Sequence, residues 1–134
     1  MARKEFAFRG KSLNELLEME LLQFGAIAGS RIKRSITRGI DKTLLKDIET
    51  AYAEKKSGKE PKPVRTHVRH FPVLPKMVGM RVEVYKGNGF QILEVKERML
   101  GHLLGEFALT RKRLSHGKAG IGATKSSTAI TARG

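Results

Sequence analysis

The chain is 134 residues long, with 27 Lys and Arg against 13 Asp and Glu, a formal charge of +14 and a pI near 10.5. Such a charge points to a polyanionic partner, while the length and a 40% hydrophobic content leave room for one small domain with a modest core. The absence of cysteine excludes disulfides, thiolate nucleophiles and Cys-ligated zinc together, and Glu15, Glu18 and Glu20 interrupt the most apolar early stretch, Leu13 to Ala28, so that it makes neither a signal-peptide core nor a membrane span.

In chain order, Ser12 and Glu15 form a capping box, and Leu13, Leu16, Leu17, Leu21 and Phe24 follow at helical spacing, so a helix is expected there, limited by Gly25 and Gly29. The next stretch, Arg31 to Arg38, places Ile32 and Ile36 on one stripe and leaves Arg31, Lys33, Arg34 and Arg38 outward. Asp41 caps a further helix whose apolar stripe is Leu44, Leu45, Ile48, Ala51 and Tyr52. Ser57 to Pro63 ends it as a linker, because neither Pro61 nor Pro63 can extend a helix.

After the linker the period changes from helical to alternating. Met80, Val82 and Val84 alternate with Arg81, Glu83 and Tyr85; Lys86-Gly87-Asn88-Gly89 turns the chain; Leu93 and Val95 then alternate with Phe90, Ile92 and Glu94. This predicts a β-hairpin. A turn centred on Gly87-Asn88 sets Arg81 opposite Glu94 and Tyr85 opposite Phe90, whereas one centred on Asn88-Gly89 opposes Glu83 and Glu94, a like-charge pair, so the first register is expected. Met80, Val82, Val84, Leu93 and Val95 then share one face. A short helix from about Lys96, carrying Met99, Leu100, Leu103 and Leu104 on one side, is expected to cover it, with Gly101 and Gly105 allowing close approach or termination.

Beyond Glu106 there is no acidic residue, and residues 111–134 carry six cations, Arg111, Lys112, Arg113, Lys118, Lys125 and Arg133. Mutually repelling cations gain little by folding on themselves and much by lying along phosphates, so this segment reads as an extended polyanion-binding tail. Charge and composition thus divide the chain into a helical, basic N-terminal extension and linker over residues 1–64, an α+β core over 65–110, and the tail. The expected fold class is α+β: a small, antiparallel-rich β-sheet packed by short helices.

The blocks Val73-Leu74-Pro75-Lys76-Met77-Val78-Gly79 and Met99-Leu100-Gly101-His102-Leu103-Leu104-Gly105-Glu106-Phe107-Ala108-Leu109-Thr110, in this order around the hairpin, resemble the S-nineteen family of small-subunit ribosomal proteins. The resemblance runs from about Arg65 to His116. The Phe8-Arg9-Gly10-Lys11 start and the closing His116 to Ser127 segment look like extensions of the family's archaeal and eukaryotic branch. The resemblance implies a non-enzymatic, cytoplasmic ribosomal protein in the head of the small subunit. Its implied partners are small-subunit rRNA, a neighbouring head protein of the S-thirteen family and, through the tail, tRNA near the decoding region; a membrane and cofactors are not implied.

The candidate rRNA-binding residues are Arg31, Lys33, Arg34 and Arg38; Arg65 and Arg69; Arg81 and Lys86 of the hairpin; and Arg111, Lys112, Arg113, His116, Lys118 and Lys125. Arg suits bidentate phosphate contacts and base stacking, and Lys supplies a point charge. With aromatics at 6%, recognition is expected to rest on RNA shape and backbone more than on base-stacking platforms.

Other chemistries fit less well. Gly120 to Ser126 ends in Lys-Ser, yet Thr124 stands where a phosphate-binding loop requires Gly, and only eight residues follow Ser126. His67 and His70, three apart in an extended segment before Pro72, point to opposite faces and cannot chelate one metal together. His102 is expected among apolar neighbours or facing RNA, and Glu106 to neutralise a basic neighbour or accept backbone hydrogen bonds. An RNA-processing enzyme using His102 or Glu106, and an architectural DNA-binding protein, are the rival readings.

Overall fold

The computed structural model describes residues 6–115. The candidates His116, Lys118 and Lys125, and the tail beyond Ser115, lie outside the described residues.

A two-stranded ribbon, β1 (Ala7–Phe8) and β2 (Lys11–Ser12), leads into α1 (Leu13–Glu18), α2 (Leu21–Ala28), α3 (Ser30–Arg38) and α4 (Lys42–Lys56). Then come β3 (Val64–Thr66), a 3-10 turn at Pro75–Met77, the hairpin β4 (Arg81–Tyr85) and β5 (Phe90–Glu94), and 3-10 turns at Glu97–Met99 and Leu104–Glu106. The class is α+β, with a sheet in the order β3-β4-β5 in which β3 runs parallel and β5 antiparallel to β4.

Local chemistry accounts for several boundaries. Ser12 accepts from the Glu15 backbone amide at 3.5 Å to start α1. Asp41 caps α4 by accepting from Thr43 N at 2.9 Å and Leu44 N at 3.0 Å. Ile32 and Ile36 are buried on α3, as are Leu44, Ile48 and Ala51 on α4, so the apolar stripes face inward as the spacing predicts.

The hairpin takes the expected register, with Arg81 opposite Glu94 and Tyr85 opposite Phe90; Lys86 N donates to Gly89 O at 2.9 Å and closes the turn. Val82, Val84, Leu93 and Val95 point into the core while Arg81, Ile92 and Glu94 face out. One continuous apolar core runs from Leu16, Phe24 and Ile48 of the helices through Phe71, Val73 and Met77 to the hairpin and on to Leu104 and Ala108. The helices of the N-terminal half therefore pack on the sheet. Each fully buried Leu, Ile or Phe adds about 1.5–3 kcal/mol of apolar transfer free energy.

Three expectations need correction. The first predicted helix is two: at Met19 and Glu20 the backbone is extended, with ψ of 146° and 153°, and Gly25 lies inside α2, packed against Ile36, so that Gly29 alone ends the second piece. The sheet also gains a strand that the alternation did not announce: β3 begins at Val64, directly after the linker ends at Pro63, and pairs parallel with β4.

The third correction concerns the helix predicted from about Lys96, which is absent. Gly101 adopts φ +82°, Val73 N donates to His102 O at 2.9 Å, and Leu104 N donates to Phe71 O at 3.0 Å. These backbone groups bond across to the Phe71–Val73 segment, so no i to i−4 ladder can form. The apolar cover survives without the helix: Leu100, Leu103 and Leu104 are buried in an irregular strap over the core.

Candidate nucleic-acid interface

Helix α3 presents four exposed cations. With Ile32 and Ile36 buried, Arg31, Arg34 and Arg38, spaced three, four and seven apart, form one stripe along the helix, and Lys33 lies on the other flank of the buried pair. Among the described residues these four enter no ion pair.

The fold carries this stripe to distant sequence. Arg31 borders a groove of about 290 Å³ with Arg69, His70, Gly105 and Glu106, and Arg38 borders a second, of about 200 Å³, with His70 and Phe71. His70 lies between the two grooves. His67 goes to the sheet instead, its ring centroid 4.5 Å from that of Tyr85 and 5.0 Å from that of Phe90. The two histidines thus serve different surfaces, and among the described residues no group of three or more His, Cys, Asp or Glu side chains is placed to hold a metal ion.

The sheet cations are engaged within the chain. Arg65 donates to Glu83 at 2.8 Å and stacks 4.3 Å above the Phe90 ring, while Arg81 pairs with Glu60. Both stay more than half exposed, at 65% and 56%, so a phosphate can reach either without unfolding anything. Lys86 is half-buried at the hairpin turn.

Arg69 is different in kind. Its guanidinium donates to the carbonyls of Tyr85 at 2.6 Å, Gly105 at 2.9 Å and Ala108 at 2.5 Å, and its own carbonyl accepts from Gly105 N at 2.8 Å. A rigid planar fork suits this clamp, which ties the β3 exit to the hairpin end and to the strap. Sequence reasoning groups Arg69 with Arg65 as a surface cluster; no local signal distinguishes the two, because the three carbonyls come from 16, 36 and 39 residues downstream.

Glu106 takes the backbone-accepting role that the sequence offered it and also meets His102. One oxygen lies 2.6 Å from His102 Nδ1, and the other accepts from Leu103 N at 3.3 Å, capping the last 3-10 turn. Beyond it, Arg111, Lys112 and Arg113 are exposed and, among the described residues, unpaired.

Comparison with known proteins identifies the family. A family model described as ribosomal protein S19 matches residues 31–116, more than half of the chain. A protein of Halorubrum lacusprofundi named small ribosomal subunit protein uS19 is 45% identical over 124 residues, covering 92% of this chain and 88% of that relative. Proteins of the same name from two strains of Halobacterium salinarum are 46% identical over 126 residues, with the same shares covered. Among the described residues no helix is long and apolar enough to cross a membrane.

Proposed function

We propose that this chain, which belongs to the ribosomal protein S19 family, is a structural constituent of the small ribosomal subunit that holds folded rRNA together by neutralising phosphate repulsion. It is not an enzyme: its work is binding, and its place is the ribosome in the cytoplasm. In the finer reading it binds rRNA of the subunit head through α3 and the tail, beside a head protein of the S-thirteen family, with the tail directed toward tRNA near the decoding region.

The observation that carries the rRNA reading is the division of labour among the cations. Among the described residues, Arg31, Lys33, Arg34 and Arg38 stand exposed and unpaired on a helix fixed by Ile32 and Ile36, and Arg111 to Arg113 leave the core in the same condition. Arg65, Arg81 and Lys86 add a second contact region at the sheet, and Arg69 holds the frame that positions it. His116, Lys118 and Lys125 extend the basic run of the tail. Phosphate binding by such groups releases counterions, so affinity falls linearly with the logarithm of salt concentration.

The test is binding of the purified chain to a folded small-subunit head RNA as a function of salt. Replacing Arg31, Arg34 and Arg38 by Ala is expected to flatten the salt slope while leaving the fold intact. Equal affinity for a random DNA duplex would favour the architectural DNA-binding reading instead, and cleavage or modification of the RNA on prolonged incubation would favour an enzyme.

A further inference from the structure

We propose that the groove between α1, α2 and α4 is a docking site for a basic, apolar-bearing segment of another protein of the particle, and that this face does not contact RNA. The proposal rests on the ribosomal role above and extends it to a surface that the RNA reading leaves unused.

Three observations meet there. The backbone break at Met19 and Glu20 opens a cavity of about 420 Å³ whose floor is apolar, built from Leu16, Leu17, Phe24, Leu45 and Leu74. Leu22, at its margin, is 62% exposed, unlike the leucines of the core. Three charged side chains line its rim, Glu20, Glu49 and Lys76; Glu49 and Lys76 pair with each other at 3.1 Å, which leaves Glu20 as the carboxylate facing a partner.

Sequence charge sharpens the contrast. Between Ser12 and Ser30 the charged residues are Glu15, Glu18 and Glu20, three carboxylates and no cation, in a chain whose net charge is +14. Carboxylates at this density repel phosphate, which argues against RNA as the occupant. An apolar floor takes up Leu-, Ile- or Phe-like side chains, and Glu20 at its edge favours a Lys or Arg beside them. Complementarity to Glu20 at the groove and to the acid-only segment around it selects a basic segment of a neighbouring protein as the occupant. The chain's own tail has the right charge, but its cations are assigned to RNA in the proposed function.

The absence of cysteine makes the test clean, because Leu22→Cys introduces the single thiol of the chain at an exposed position. Entry of the wild-type chain into small subunits is scored first, and its failure would sink the ribosomal reading itself. In subunits carrying Leu22→Cys, maleimide alkylation is expected to be slowed by roughly tenfold or more relative to the free chain, since access governs thiol reactivity. A photo-crosslinker attached at position 22 is expected to capture a basic protein. Adding Glu18→Lys and Glu20→Lys is expected to return alkylation toward the free-chain rate. Equal alkylation in subunit and free chain, crosslinking to RNA, crosslinking to residues 116–134 of the same chain, or protection undiminished by the charge reversals would each overturn the proposal.

Discussion

Arg69 reaches the carbonyl oxygen of Ala108, 39 residues downstream, at 2.5 Å, and in doing so fixes the point where the chain leaves the core. The same guanidinium holds Tyr85 at the hairpin end and Gly105 in the strap. Arg69→Ala leaves three carbonyls without their charged donor, at a site only half open to water. A loss of about 3 kcal/mol in stability is expected. Arg69→Lys is expected to recover only part, because an ammonium cannot span all three oxygens. Urea unfolding measures both, and wild-type stability in Arg69→Ala would show the clamp to be ornamental.

Gly105 lies under that clamp. A methyl group added there would sit 2.9 Å from the Arg69 carbonyl oxygen and 3.0 Å from its Cβ, whereas one at Gly89 meets nothing within 4 Å. Gly105→Ala is expected to destabilise by about 1–3 kcal/mol, since backbone must move to admit it. Gly89→Ala is expected to change stability by less than about 0.5 kcal/mol. Thermal unfolding of the pair tests the contact, and equal melting temperatures would contradict it.

At the start of α4, Asp41 satisfies two amides that have no partner within the helix. Asp41→Ala is expected to cost about 1 kcal/mol, and Asp41→Asn a few tenths. Far-UV circular dichroism followed through denaturation measures both; no loss in the alanine variant would mean that water caps the helix equally well.

The α3 cations are expected to behave in the opposite way. Arg31→Ala, Arg34→Ala and Arg38→Ala together remove exposed charge without touching Ile32 or Ile36, so unfolding should stay within about 0.5 kcal/mol of wild type. The slope of log affinity against log salt is expected to fall by about 2–3, near one unit for each phosphate that is no longer neutralised. A fall in stability with an unchanged slope would make the helix structural and not an RNA-binding element.

Much of this was legible where local chemistry decides. Ser12 and Asp41 start helices by side-chain hydrogen bonds, Ile32 and Ile36 point inward by spacing, and the charges of Glu83 and Glu94 select the hairpin register. Non-local pairing hid the rest. The Met19–Glu20 break has no Gly or Pro to announce it, three-residue β3 is defined by its parallel partner, and the strap after Lys96 spends its amides and carbonyls on Phe71 and Val73. At the candidate interface, the exposed α3 stripe followed from spacing alone, whereas the internal engagement of Arg69 and the meeting of Arg31 with His70 and Glu106 required the tertiary structure.

The central claim is that the chain is an integral part of the small subunit, held by many phosphate contacts. Its most direct test is sedimentation of a native lysate through a density gradient, with the small-subunit fractions probed for the chain before and after a high-salt wash. Co-migration with small subunits that survives the wash is expected, because many contacts buried in folded RNA must break together. A chain that remains at the top of the gradient, or leaves the particles at modest salt, would contradict it.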